Sequence, residues 1–241
     1  MIERLTITSV LLALSALIQQ PEGLSPAPAS IVSQQWRILR LARKRADGFH
    51  FVGTGFVITR STKTYIVTCA HVVDNSAAAV PLYADFPYPM NAHRTSVLAT
   101  DSESDLALLT TDVQIRENTE ETNGEAKEGM KVFVIGFDDH HMEKDNPQIQ
   151  SGVIRAVGWW EERGHRVFTS RRTTGSATRA LLIEGSICQP GDSGSPVFAE
   201  NGEVLAVTTA FTHDHSCLAT ATPALIDLLE QTGTSLTRSL P

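Results

Sequence analysis

Hydrophobic positions along the chain fall into short runs, closed off at short intervals by Gly, Asn, Asp and Ser. From Trp36 onward the runs are Phe49 to Thr59, Thr64 to Cys69, Leu106 to Thr111, Lys131 to Phe137, Gly152 to Trp160, Ala180 to Glu184 and Val204 to Phe211. Their length and their content of Val, Ile, Phe and Thr predict β-strands, and the turn chemistry between them suits barrels or sandwiches. Strands do not alternate with long helical periods, which disfavours a parallel α/β sheet. One helix is predicted near the end, with Pro223 in its first turn, an apolar face of Leu225, Ile226, Leu228 and Leu229, and Gly233 beyond it. It is expected to pack on the last β unit.

Two segments break this pattern. Residues 1–29 hold Arg4, an apolar run from Leu5 to Ile18, and then a stretch ending Ala27-Pro28-Ala29. That is the layout of a secretory signal with a small-residue cleavage site. The run is shorter than the roughly 20 residues of a membrane-spanning helix. A secreted or periplasmic protein is therefore expected, held at a membrane only if the segment stays uncleaved. The second segment, Asp112 to Met130, is polar and acid-rich and cannot supply core, so it reads as a connector. The expected organisation is a signal over 1–29, one β unit over 30–118, and a second over 119–241 that includes the terminal helix.

Composition narrows the classes further. The chain has 241 residues, 41% hydrophobic and 20% charged, as in a soluble globular protein with one or two cores. Twenty Lys and Arg against 27 Asp and Glu give a net charge of −7, which argues against a nucleic-acid partner. Arg43, Lys44, Arg45, Arg171 and Arg172 lack aromatic interleaving and read as solvated faces. The three cysteines, Cys69, Cys188 and Cys217, form no CxxC pair of the kind structural zinc uses. Asp138-Asp-His-His-Met-Glu and His213-Asp-His read as solvated loops, so neither a metal nor a cofactor is expected. Gly53-Thr-Gly-Phe-Val-Ile has Ile58 where a dinucleotide loop needs its third glycine; it reads as a strand with a close backbone approach.

Three segments carry candidate chemistry: Ile66-Val-Thr-Cys-Ala-His71-Val-Val, Asp105-Leu-Ala-Leu-Leu, and Pro190-Gly-Asp-Ser193-Gly-Ser-Pro-Val. A serine hydroxyl becomes a useful nucleophile only with a base in hydrogen-bond reach and a third group holding that base in the right tautomer. Each candidate flanks an apolar strand-like run, which places it at a rim where distant segments converge. Asp101 and Asp112 compete for the third role, but only Asp105 directly precedes the Leu-Ala-Leu-Leu strand. Gly191 and Gly194 leave the backbone around Ser193 free to aim amides at a developing oxyanion.

Thr68-Cys-Ala-His71, Asp105-Leu-Ala-Leu and Gly191-Asp-Ser193-Gly-Ser-Pro, in the order His, Asp, Ser, resemble the chymotrypsin-like serine peptidases, including the bacterial high-temperature-requirement proteases. The resemblance runs from about Trp36 to Leu229 and takes in Gly48-Phe-His-Phe-Val-Gly-Thr-Gly-Phe, Val134-Ile-Gly-Phe and Gly202-Glu-Val-Leu-Ala-Val. It implies an all-β fold of two antiparallel Greek-key barrels with a C-terminal helix. It also implies a serine endopeptidase acting on protein or peptide substrates without a cofactor, in an oligomeric state that is left open. Ser193 would be the nucleophile, His71 the base, Asp105 its orienting carboxylate, and the amides of Gly191 and Ser193 the oxyanion donors.

The departures from the family pattern are informative. Ser195 stands where the commonest form has Gly. Thr208 stands where glutamate-specific members carry His, and Ile187, six residues before Ser193, stands where trypsin-like members carry an acid. The resemblance therefore implies a pocket for small or medium apolar side chains, built from Ile187 and Cys188 facing Thr209, Ala210 and Phe211. It also implies a Cys188–Cys217 bridge between the pocket walls, with Cys69 a small buried side chain. Asp192 corresponds to the aspartate that, in trypsin-like members, pairs with a newly made amino terminus; Ile31-Val32 could supply one, while the high-temperature-requirement relatives need none. Two other readings stand beside the peptidase: a non-catalytic binding or scaffolding protein on a protease fold, and a serine esterase. The esterase is weakened because Ser195 breaks the Gly-x-Ser-x-Gly elbow. Amino-terminal sequencing of exported protein should read Ser30 as the first residue; Ile31 there would point to activation by a new terminus.

Overall fold

The computed structural model describes residues 26–60, 63–74, 81–85, 92–113, 124–137, 146–162, 166–170, 177–185, 188–212 and 216–232. Residues 1–25 of the expected signal, the 118/119 boundary, Ile187, the Asp138 to Glu143 run, Arg171-Arg172 and His213 to His215 lie outside them.

Two six-stranded antiparallel barrels follow one another along the chain. The first is closed by β1 (Ile38–Arg45), β2 (Gly48–Arg60), β3 (Lys63–Cys69), β4 (Leu82–Asp85), β5 (Ala92–Asp101) and β6 (Leu106–Thr111), in the order β1-β2-β3-β6-β5-β4. The second contains β7 (Lys131–Gly136), β8 (Gln148–Glu162), β10 (Thr178–Glu184), β11 (Pro196–Ala199), β12 (Val204–Phe211) and β13 (Cys217–Ala221); pairing of β8 with β10 closes it, and β9 (Arg166–Thr169) extends β8 as a hairpin. This is the chymotrypsin-like architecture.

Every predicted strand is present, and β6 and β12 have the predicted bounds. The pattern missed β1, β4, β5, β9, β11 and β13. Strand β1 carries four cations in Ile-Leu-Arg-Leu-Ala-Arg-Lys-Arg, and β5 exposes most of its residues. Both are strands because barrel closure supplies partners on each side, β2 and β4 for β1, β4 and β6 for β5. Arg43 corrects the solvated-face reading of the basic spots: it is buried, and Nη2 donates to the carbonyl of Val73 at 3.1 Å.

Alternation along the strands sorts residues between two cores. On β7, Val132 and Val134 fill the second barrel with Ile154, Leu181, Ile183, Val197 and Leu205, whereas Phe133 and Ile135 turn outward and join the first-barrel core. On β11, Val197 and Phe198 divide in the same way. The larger cluster is thus continuous from the first barrel across the junction. This explains why β3 and β6 are apolar on both faces: one face lines the barrel, the other is covered by the junction.

The terminal helix, α3 (Thr222–Gln231), has Pro in its first turn and buries Leu225, Leu228 and Leu229. It packs on the last β unit, as expected, and on the first barrel too. It lies against β5 and β6 of the first barrel as well as β10, β12 and β13 of the second, and its leucines belong to the shared cluster. At the other end, the short helix α1 (Ala29–Val32) buries Ile31, and Ser30 Oγ donates to the carbonyl of Glu200. Arg37 follows, with its guanidinium 4.9 Å from the Phe198 ring. Burial pushes Arg37 down to about 10, so it remains a cation at neutral pH.

Cys188 and Cys217 form the bridge that the resemblance implied, with Cα atoms 5.2 Å apart, and Cys69 is a buried free thiol. On the chain-entropy model, opening a loop of this size costs about 3–4 kcal/mol. Replacing both bridge cysteines by Ser should lower the urea midpoint accordingly. Denatured but unreduced protein should titrate as a single thiol, that of Cys69; three thiols would refute the bridge.

Candidate active site

His71 lies in a four-residue helix, α2 (Ala70–Val73), directly after β3. Asp105 closes the turn between β5 and β6, and β3 pairs with β6 so that Cys69 faces Leu106. The register therefore brings the residues just beyond the two strand ends together. Asp105 has φ +56°, and no other non-glycine residue among those described has a positive φ. Asp tolerates this left-handed conformation better than most residues, because its short side chain bonds locally. The result is a three-point grip on α2. The Asp105 carbonyl accepts from Ala70 N–H at 3.0 Å, Oδ1 accepts from His71 N–H at 3.0 Å, and Oδ2 lies 2.7 Å from His71 Nδ1. Asp105 is 2% exposed, while the His71 side chain is 48% exposed.

The two competing aspartates are occupied elsewhere. Asp101 accepts from Glu103 N–H at 3.0 Å and from Ser104 Oγ at 2.6 Å, forming the turn that presents Asp105. Asp112 lies 3.3 Å from His93 Nδ1. Thr220 Oγ1, on β13, donates to the Ser104 carbonyl at 2.7 Å, so the second barrel steadies the same turn.

Ser193 is brought to this site across the junction. Thr54 N–H donates to its carbonyl at 2.9 Å. A Cβ on Gly53 would lie 2.8 Å from Val72 Cγ2, beside His71, and 3.1 Å from the Ser193 carbonyl. The strand read as one with a close backbone approach is thus wedged between the histidine and serine segments. Gly194 (φ +91°) would drive a side chain into the carbonyl of Thr54. Its amide donates to Thr208, whose own amide donates to Ser195. Ser193 Oγ has no hydrogen-bond partner among the described residues.

Around Ser193 most backbone polar groups have partners. Asp192 N–H donates to Gln189, Ser195 N–H to Asp192, and the Asp192 carboxylate accepts from Gln189 N–H at 2.9 Å. The amides of Gly191 and Ser193 donate to no acceptor among the described residues. Asp192 and Ile31 are not paired: Ile31 is buried, and its N–H donates to Pro28.

A model of the trypsin-like peptidase domain matches residues 53–207. The chain belongs to this family. No curated protein matches it. Among solved structures, the active form of the Rv3671c protease from M. tuberculosis is similar, with TM-score 0.66 and 18% identity over 90% of this chain and 95% of that one. The serine endoprotease from Yersinia pestis follows at TM-score 0.65 and 16% identity, over 87% and 68% of the two chains. The HtrA-type protease AlgW with tripeptide gives TM-score 0.63 and 16% identity, over 86% and 63%. At these identities the likeness is one of fold.

Of the expected pocket residues, four lie among the described residues of this trypsin-like peptidase domain. Cys188 is buried and bridged to β13, Thr209 is buried with Oγ1 donating to the Leu218 carbonyl, Ala210 is half-buried, and Phe211 is 46% exposed. Cys69, buried two residues before His71, donates its thiol to the Thr208 carbonyl at 3.1 Å. Its sulfur lies within 4.8 Å of the ligating atoms of His71 and Asp105, but each of the three already has a protein partner. Sequence reasoning had no signal for Thr54, whose contacts depend entirely on how the barrels dock.

Ser195, the departure from the family pattern, is fully buried, and its hydroxyl packs against the Cα of Gly136. A methyl group on Gly136 would collide with it. Overpacking of this kind costs about 1–3 kcal/mol. Gly136→Ala should therefore destabilise the protein by that amount, and adding Ser195→Gly should recover most of it in a double-mutant cycle. Independent, additive effects would show that the two positions do not share this space.

Proposed function

We propose that the protein is a serine endopeptidase that cleaves protein or peptide substrates through an acyl-enzyme. The 2.7 Å contact between His71 Nδ1 and the buried carboxylate of Asp105 carries the reading. It holds the imidazole with Nδ1–H toward the acid, leaving Nε2 to take a proton.

In the first half-reaction Ser193 Oγ attacks the scissile carbonyl carbon and its proton passes to His71 Nε2. The carbonyl π electrons move onto oxygen, which the amides of Gly191 and Ser193 stabilise. Collapse breaks the C–N bond, and the amine leaves with the proton from Nε2. Water then repeats the sequence on the ester, giving up its proton to Nε2, and Ser193 regains a proton as the acid departs. Asp105 stays ionised throughout and stabilises the imidazolium. Each oxyanion donor of this kind contributes about 2.7–4 kcal/mol to the barrier reduction.

The pocket flanked by Cys188, Thr209, Ala210 and Phe211 suits a small or medium apolar side chain. The Cys188–Cys217 bridge suits an oxidising compartment, in keeping with a secreted or periplasmic enzyme.

An active-site fluorophosphonate should label wild type and not Ser193→Ala. Casein should be cleaved faster than simple esters, which separates peptidase from esterase. Asp105→Asn should lower turnover by about 10⁴ with the protein still folded. Absence of Ser193-dependent labelling would instead favour a binding protein on a protease fold.

A further inference from the structure

Thr54 occupies an unusual position. It is fully buried on β2, in the first barrel, yet three of its polar atoms serve the junction with the serine segment. Its N–H donates to the Ser193 carbonyl at 2.9 Å. Its carbonyl accepts from Thr68 Oγ1 at 2.7 Å and lies against Gly194. Its hydroxyl accepts from Phe137 N–H at 3.0 Å and donates to the Gly191 carbonyl at 2.9 Å. The alternative acceptor for that proton, the Phe137 carbonyl, is farther away at 3.4 Å.

The first two contacts are made by backbone and survive any side chain at position 54. The hydroxyl contact does not. Among the described residues, Thr54 Oγ1 is the only donor to the Gly191 carbonyl. Gly191 has φ +101°, a conformation that glycine enters and leaves freely. Its amide and that of Ser193 donate to no acceptor among the described residues. The peptide that follows the Gly191 amide is thus held on its carbonyl side by a hydroxyl from the other barrel and on its N–H side by the bond from Asp192 to Gln189.

We propose that Thr54 is a positioning residue for the oxyanion site, acting through its hydroxyl on Gly191. The proposal rests on the serine-peptidase reading above. Thr54 holds the Gly191–Asp192 peptide from its carbonyl side, opposite the bond from Asp192 N–H to Gln189, and so limits the rotation at Gly191 that would swing its amide away from that of Ser193. Since the same oxygen accepts from Phe137 N–H, the end of β7 and the oxyanion loop share one anchor.

The test compares Thr54→Ser, which keeps the hydroxyl, with Thr54→Val, which keeps the shape, and Thr54→Ala, which differs from the Ser variant only by the hydroxyl. Wild-type labelling at Ser193 by a fluorophosphonate serves as the control. Thr54→Val and Thr54→Ala should lower kcat by up to about 10²-fold, as expected for a misplaced donor, with KM nearly unchanged. Thr54→Ser should stay close to wild type. A peptide boronate, which mimics the tetrahedral intermediate, should lose affinity for the Val and Ala variants in step with kcat. If Thr54→Val fails to fold, as thermal unfolding would reveal, the Ser and Ala pair decides alone. Equal losses in Ser and Ala, or wild-type kcat in Val, would overturn the role of the hydroxyl while leaving the enzyme reading intact. A wild type that is not labelled at Ser193 would overturn the enzyme reading, and this proposal with it.

Discussion

The site depends on backbone meeting backbone across the junction of the two barrels. Strand β2 passes close enough for Thr54 N–H to reach the Ser193 carbonyl, and the approach is possible because Gly53 and Gly194 present no side chain there. Position 194 adds a left-handed φ that only glycine adopts readily. The histidine and aspartate come from one barrel and the serine from the other, so their spacing is set by this docking and not by either barrel alone. The shared cluster of Phe133, Ile135, Phe198 and Val207 with the first-barrel core, roofed by α3, supplies the nondirectional part of the docking energy. Hydrogen bonds from Thr54, Thr220 and the Cys69 thiol supply its register.

The geometry of the candidate site is then built locally on each side. On the first barrel, pairing of β3 with β6 places α2 beside the turn that Asp101 organises, and the left-handed Asp105 grips the histidine through ring and backbone. Arg43 adds a buried cation at the carbonyl of Val73, satisfying the exposed end of a helix too short to stabilise itself. On the second barrel, hydrogen bonds within residues 189–195 and to Thr208 engage every backbone N–H of that loop except those of Gly191 and Ser193, which have no acceptor among the described residues. Polar groups left over in a tight, partly buried loop are where a reacting oxygen finds its donors.

Much of this was legible beforehand, and the exceptions share a cause. Strands with buried faces on both sides, such as β3 and β6, were plain from their apolar runs. Strand β1, with its cations, and the largely exposed β5 were not, because what makes them strands is the neighbour that barrel closure provides. Arg43 reads as surface charge until α2 is placed over it. Helix α3 shows its apolar face in the sequence, yet the direction of that face toward both barrels follows from the junction. Ser195 is visible as a departure, and its accommodation by Gly136 is not, since β7 and the serine loop are far apart in the chain.

Family, chain order of His71, Asp105 and Ser193 and the β architecture were present in the order of residues, because local motifs with strict stereochemical demands are written contiguously, and the pairing of Cys188 with Cys217 followed from the family resemblance. The sequence favoured Asp105 over Asp101 and Asp112, but its 2.7 Å contact with His71 and the contacts of Thr54 with Ser193 and Gly191 arise only on folding. Both are contacts between segments remote in the chain, and a side chain's partner there is fixed by strand register and barrel docking, which no single segment encodes.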